Sequence, residues 1–277
     1  MIKNHIKPQI GGVSLGSLTP VHVQSMMAAM QRKGKSAETI RLTFAVLRRA
    51  LRQATIWRLI PYNVCASVER PRVAKNEIQV LDGEQVMRFL ACARGERLEA
   101  IFVLAIGTGM RLGELFGLQW NDIDLPTATI MVRRTLTEVN GELQLSEPKT
   151  AKGRRRIDLP KIAEEALWKH KSSMLVEGHA GVEWVFCNHG GGHLRRSHFH
   201  QQYFKPLLKK AGLPAIRFHD LRHTSATLLL SAGVHPKVVQ ERLGHSQISV
   251  TLDVYSHVLP TMQLEAAAKL DVAMRYS

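Results

Sequence analysis

Along most of this chain apolar residues recur at steps of three and four, the spacing of a helix buried on one face, and β-type sequence replaces it between residues 129 and 159. This predicts a mainly α fold with a small antiparallel β-sheet set into it. Thr19-Pro20 reads as an N-cap with proline at the first helical position, and Val23, Met26, Met27 and Met30 keep one face apolar until Gly34. Ser36 caps the next helix, whose Ile40, Phe44, Leu47 and Leu51 form a stripe with Arg41, Arg48, Arg49 and Arg52 off it. Asp82 starts a helix through Val86, Phe89 and Leu90, and another through Leu98, Ile101, Phe102 and Ala105 stops at Gly107-Thr108-Gly109. A short helix is expected over 111–118. A β-rich run over 129–139 turns at Asn140-Gly141, a strong hairpin signal, and returns over 142–145. A second hairpin is expected through 148–153 to 156–159. Helices resume after Pro160, near 198–210, over 219–231, near 236–243 and 249–256, and from Thr261 to about Met274.

The chain has 277 residues, which points to two domains. Residues 61–78 lack periodicity and carry two prolines among dense charge, which marks a linker. The division expected is a helical N-terminal domain over 1–70, a linker over 71–78 and a larger domain over 79–277. The net charge of +15 is unevenly spread. Residues 1–76 carry 13 Lys/Arg against Glu38 and Glu69, whereas 77–277 carry 25 basic and 21 acidic residues. A small, very basic part joined to a near-balanced body suggests a polyanion-binding module on a larger domain. A hydrophobic fraction of 45% excludes a disordered or collagen-like chain. There is no apolar run long enough to span a membrane and no signal-type apolar core at the N-terminus. Cys65, Cys92 and Cys187 form no CxxC pair and read as reduced thiols, so a cytoplasmic protein is expected.

The sequence lacks a GxxxxGK[ST] loop and a GxGxxG fingerprint, which argues against ATP hydrolysis and dinucleotide binding. His219-Asp-Leu-Arg-His223 sets two histidines four apart on a helix, the spacing of a zinc hydrolase, with Asp220 where HExxH has glutamate. Aspartate is one methylene short for that base role, and no obvious third ligand follows. The same segment puts His219 and Arg222 on one face, able to meet one anion, and it reads equally as a structural helix start. Gly107-Thr-Gly-Met-Arg111-Leu-Gly-Glu114 puts an arginine at a helix start, where guanidinium and amide N–H groups suit an oxyanion, with Glu114 one turn on to hold it. Leu243-Gly244-His245 puts a histidine just past a glycine helix stop, and Tyr255 follows ten residues later.

Taken in order, TGMRLGEL, HDLRHTSAT and LGHSQISVTLDVYSH resemble the motifs of the tyrosine recombinase (phage integrase) family, over about residues 19–270. The resemblance implies that Arg111, His219, Arg222 and His245 surround a scissile phosphate and that Tyr255 attacks it. It implies a lysine in a β-hairpin turn, a role that falls on Lys149, with Lys152 as fallback or as a DNA-backbone contact. It implies an α+β catalytic domain, and helical N-terminal elements that bind double-stranded DNA and close with it as a clamp. Arg41, Arg48, Arg49 and Arg52 are then DNA contacts. It further implies a tetramer on DNA that exchanges strands through a Holliday junction, possibly coupled by the C-terminal helix, with accessory proteins unspecified. No cofactor and no metal are implied. Only two N-terminal helices are evident in 76 residues, and residues 1–11 read as the tail of a missing first helix, so a truncated DNA-binding domain is expected.

The residue types suit the chemistry in their own right. Two arginines give fixed donors to both non-bridging oxygens of a diester and keep their charge as the pentavalent transition state gains more. Tyrosine supplies an oxygen nucleophile and conserves the bond energy in a phosphotyrosine, so no ATP is needed. The competing functions are a type IB topoisomerase, which relaxes DNA by the same cleavage, a zinc hydrolase on His219 and His223, and a non-catalytic DNA-binding protein.

Overall fold

A computed structural model describes residues 1–73, 79–139, 141–147, 153–244, 267, 270–272 and 274. The chain divides into two compact units, Met1–Glu77 and Ile78–Ser277.

The first unit is helical. A π-helical turn over Ile2–Ile6 runs into an α-helix over Lys7–Ile10, together α1. Helix α2 is Pro20–Arg32 and α3 is Ala37–Ile56. The N–H of Thr19 bonds His22 Nδ1 at 3.1 Å, and Ser36 Oγ accepts the N–H of Thr39 at 3.2 Å, so both starts are capped. Ile40, Phe44, Leu47, Leu51 and Ala54 fall on the buried face of α3. Phe44 and Leu47 pack with Val23 and Met26 of α2 and with Ile60, Val64, Cys65 and Val68. Residues 61–68 lack helical periodicity, yet a 3-10 turn over Val64–Ser67 belongs to this core. Asn63 is the reason. Its Nδ2 donates to the Arg48 carbonyl at 2.9 Å and its Oδ1 accepts the N–H of Cys65 at 3.0 Å, tying the segment to α3.

The second unit surrounds a helix that is apolar on every face between its ends. Helix α4 is Gly83–Ala93 and α5 is Glu99–Thr108, where Ala100 to Ile106 and Thr108 are all buried. A helix hydrophobic all round must be sheathed on every side. Then come the single turn α6 (Leu112–Phe116) and strands β1 (Ile123–Asp124), β2 (Thr129–Val132), β3 (Thr135–Val139), β4 (Glu142–Ser146) and β5 (Arg155–Asp158). Helix α7 is Lys161–Val176. Residues 196–210 form one helical run, α8 (Arg196–Phe199), a π turn (His200–Phe204) and α9 (Lys205–Lys210). Helices α10 (Phe218–Ser231) and α11 (Pro236–Leu243) complete the described elements that bear on the site. Phe102 of α5 stands 5.4 Å, edge on, from Phe89 and 5.7 Å, stacked, from Phe199.

The β region departs from expectation twice. The run 129–139 is two strands, broken at Arg133-Arg134, because buried Asp122 draws both guanidiniums, Arg134 at 2.6 Å and Arg133 at 3.8 Å. The expected second hairpin is not the pairing formed among the described residues. β5 pairs with β2, Ile130 opposite Ile157 and Val132 opposite Arg155, in a three-stranded antiparallel sheet β1-β2-β5, while β3 and β4 pair only with each other. The helix expected over 249–256 lies outside the described residues. Of the helix expected from Thr261, residues 267, 270–272 and 274 are described and helical, with Leu270, Val272 and Met274 exposed. No helix among the described residues is long and apolar enough to cross a membrane.

Replacing Phe102 by alanine removes a buried side chain that packs against Phe89, Phe199 and Phe204. The expected cost is about 3–5 kcal/mol, read as a lower urea midpoint of the second unit monitored by its tryptophans; an unchanged midpoint would contradict this account of the core.

Candidate active site

Helix α5 ends in a tight turn. Gly109 adopts φ +67, and a Cβ there would run into Leu243 Cδ2, so both the backbone and the neighbouring helix demand glycine. Thr108 Oγ1 donates to the Leu104 carbonyl at 2.5 Å, and the N–H of Met110 donates back to Thr108 Oγ1 at 3.3 Å. The turn delivers Arg111 as the N-cap of α6.

Glu114 fixes Arg111 in two ways. Its Oε2 accepts the backbone N–H of Arg111 at 2.9 Å and its Oε1 accepts Nη1 at 2.8 Å. The carboxylate side chain is 4% exposed, while that of Arg111 keeps 41% of its surface open. Arg111 can therefore meet a ligand while anchored from behind. Its N–H is already bonded, so the side chain and not the helix start offers the donors. Arg155 of β5 clasps the same carboxylate, Nη2 to Oε2 at 2.8 Å and Nη1 to Oε1 at 3.2 Å. Burial raises the Glu114 carboxyl, but the hydrogen bonds and charge of Arg155, then the charge and N–H of Arg111, outweigh it and hold it at about 2. Its contribution to stability is thus present above its ordinary value of 4.5 and is lost as pH falls toward 2.

Arg222, on α10, is buried at 2% exposure. Its Nη1 donates to the Gly109 carbonyl and its Nη2 to the Leu243 carbonyl, both at 2.7 Å. This single guanidinium joins the Arg111 turn to the end of α11, where Gly244 follows in the left-handed region at φ 68. Arg242 makes a second joint, with Nη2 on the Gly107 carbonyl at 2.7 Å and Nη1 on the Asp158 carbonyl at 3.0 Å.

His219 and His223 sit edge to face, 4.9 Å apart. Asp220 between them is committed to the start of α10. It accepts the N–H of Arg217 at 2.7 Å and a guanidinium N–H of the same residue at 2.7 Å. The base position of a zinc hydrolase is therefore taken up by a helix cap. Among the described residues no group of three or more His, Cys, Asp or Glu is placed to hold a metal ion. Although the His219 side chain reaches solvent, partial burial lowers its pKa, and the charges of His223, Arg222, Arg111 and Arg217 lower it further, to about 4. It is neutral at pH 7.

The structure thus brings together Arg111 and Glu114 at the start of α6 with His219 and Arg222 of α10. Lys149, Lys152, His245 and Tyr255 lie outside the described residues. In the first unit Arg49 and Arg52 are exposed and Arg48 is half-buried, on a groove they line with Asn63 and Arg70. Arg41 lines the same groove but pairs with Glu38 at 2.6 Å. Sequence reasoning missed Arg155, Arg242 and the capping role of Arg217. The period-two pairing of Arg155 with Ile157 was a signal that could have marked the former as inward-facing.

Residues 79–262 match the model of the phage integrase family. A tyrosine recombinase XerC-like protein of Caldanaerobacter subterraneus subsp. tengcongensis is 31% identical over 97% of this chain and 75% of its own length. The ICEBs1 integrase of Bacillus subtilis is 26% identical over 98% of this chain and 75% of its own. Among solved structures, a Tn1549 transposon integrase in complex with transposon right end DNA superimposes with a TM-score of 0.77 at 25% identity, covering 92% of this chain and 86% of that one. A lambda integrase dimer bound to a COC′ core site shares the fold, with a TM-score of 0.70 at 21% identity, covering 91% and 85%. The chain belongs to the phage integrase family, the tyrosine recombinases.

NMR titration of the imidazoles should place His219 near its value of about 4, well below an ordinary histidine at 6.5. A phosphodiester bound beside it favours the charged ring, so DNA should move the midpoint up. A midpoint near 6.5 in the free protein would mean that the cations do not surround this ring.

Proposed function

We propose that the chain is a site-specific DNA recombinase that breaks and rejoins DNA through a 3′-phosphotyrosine and a Holliday junction. The observation that carries this reading is Arg222 bonded to the carbonyl two residues before Arg111. It sets a second guanidinium at the Arg111 turn, so that two arginines stand near one position for an anion.

The chemistry follows from that charge. Arg111 and Arg222 neutralise the non-bridging oxygens of the scissile diester. Tyr255 attacks phosphorus through its phenol oxygen, forming the P–O(Tyr) bond as the bond to the 5′-oxygen breaks. Neutral His219 is able to take the phenol proton or to accept a hydrogen bond. Lys149, or Lys152, gives a proton to the leaving 5′-oxygen. Reversal by another 5′-hydroxyl reseals the strand, so the bond energy is conserved. The reaction is expected to need neither ATP nor a divalent metal, and four subunits on two sites would complete the exchange, with the C-terminal segment as the contact between them. Arg48, Arg49 and Arg52 are assigned to DNA phosphates, in a core-binding role for residues 1–70.

Two measurements check this. Nicked duplexes drawn from a randomised pool should be captured covalently by the wild-type chain, with or without EDTA, and not by Tyr255→Phe, which still binds DNA. An adduct formed by the phenylalanine variant would remove Tyr255 from the reaction, and relaxation of single-site plasmids without strand exchange would favour a topoisomerase. DNA affinity should fall steeply with salt, and replacing both Arg49 and Arg52 with glutamine should reduce the slope of log K against log salt by about two. An unchanged slope would move the phosphate contacts elsewhere.

A further inference from the structure

We propose that Arg155 is a positioning residue for Arg111, acting through Glu114, and that it fixes the Arg111 turn to the C-terminal end of α11. The inference rests on the recombinase reading of Arg111. The residue is buried at 8% exposure, and each nitrogen of its guanidinium has a fixed partner. Nη2 and Nη1 hold the two oxygens of Glu114, Nη1 also reaches the Gly153 carbonyl at 3.2 Å, and Nε donates to the Arg242 carbonyl at 2.7 Å. Both Glu114 oxygens are therefore shared between the two arginines. One takes a guanidinium N–H from each, and the other takes the backbone N–H of Arg111 with Arg155 Nη2. A carboxylate gripped this way sets the backbone and the guanidinium of Arg111 at once.

The other end of the brace is reciprocal. Arg155 bonds the carbonyl of Arg242, and Arg242 bonds the carbonyls of Asp158 in β5 and Gly107 at the end of α5. Strand β5, the start of α6 and the last turns of α5 and α11 thus form a closed ring of charge-assisted hydrogen bonds. His245 follows α11 by one glycine. Lysine cannot replace Arg155 here, since one ammonium lacks the planar fork that serves two carboxylate oxygens and a carbonyl together. Arg111 from the start of its own helix and Arg155 from β5 are the charged groups that face Glu114 among the described residues.

The test compares the unsubstituted 277-residue chain with Arg155→Lys, Arg155→Gln and Arg155→Gln/Glu114→Gln. The readouts are the rate of covalent capture of the wild-type-selected nicked duplexes, their affinity, thermal unfolding, and carbon-13 NMR of the Glu114 carboxyl. Arg155→Lys should fold and bind DNA, yet capture it more slowly, on the order of 10²-fold. In Arg155→Gln the buried carboxyl loses its main partner and its pKa rises. Relative to wild type, the capture rate should then fall further as pH drops from about 7 to about 5. The double variant has no carboxyl to protonate, so its rate should be low but without that extra fall. Wild-type rates in Arg155→Lys would overturn the proposal. So would a loss in Arg155→Gln that only tracks the unfolded fraction, with the wild-type pH profile. If the wild type captures no DNA, the recombinase reading fails, and the NMR arm still decides: a Glu114 titration unchanged in Arg155→Gln would show that Arg155 does not hold this carboxylate.

Discussion

A guanidinium withdrawn from water has to find acceptors, and Arg222 finds them in the carbonyls of Gly109 and Leu243. Both belong to the ends of helices, where carbonyls lack intrahelical partners and carry the negative end of the helix dipole. Arg242 on Gly107 and Arg155 on the Arg242 carbonyl repeat the same solution. Three long cationic side chains thus cap the ends of α5 and α11, and each binds an element far from it in the chain. A hydrogen bond from a charged group is worth about 1.5–3 kcal/mol, so several together favour one arrangement of these ends.

At Glu114 two guanidiniums share one carboxylate, so that group is only partly neutralised. His219 reports the surplus, because partial burial and its cationic neighbours hold its ring neutral. A site with excess positive potential and an exposed Arg111 suits a singly charged diester that gains charge on the way to reaction. The acid that orders the site is itself kept ionised by its neighbours, so the arrangement is self-consistent over the neutral range.

Local signals in the chain were followed faithfully by the helices. Pro20 after Thr19, Ser36, Asp82 and the left-handed glycines 109 and 244 mark helix boundaries by backbone chemistry that acts over a few residues. The strands are less legible in the local sequence. Arg133 and Arg134 sit inside a run of good strand formers, and the break there is set by Asp122, 11 and 12 positions earlier, whose buried carboxylate no local pattern reveals. Likewise the order along the chain suggests a hairpin of β5 with the strand before it, whereas β5 pairs with β2. Pairing depends on which face each strand buries, and Arg155, an inward-facing cation between two other arginines, hid that face.

Sequence alone determined the helical character, the basic first unit, the pairing of β3 with β4 and the residue types grouped around Arg111 and Arg222, since these rest on periodicity, composition and short motifs. Tertiary structure decided which arginine is buried, which carboxylate it meets and which helix ends are joined. The physical reason is range: a cap or a turn is chosen by neighbours in the chain, but the partner of a desolvated charge is chosen by whatever the packed core brings within hydrogen-bond reach.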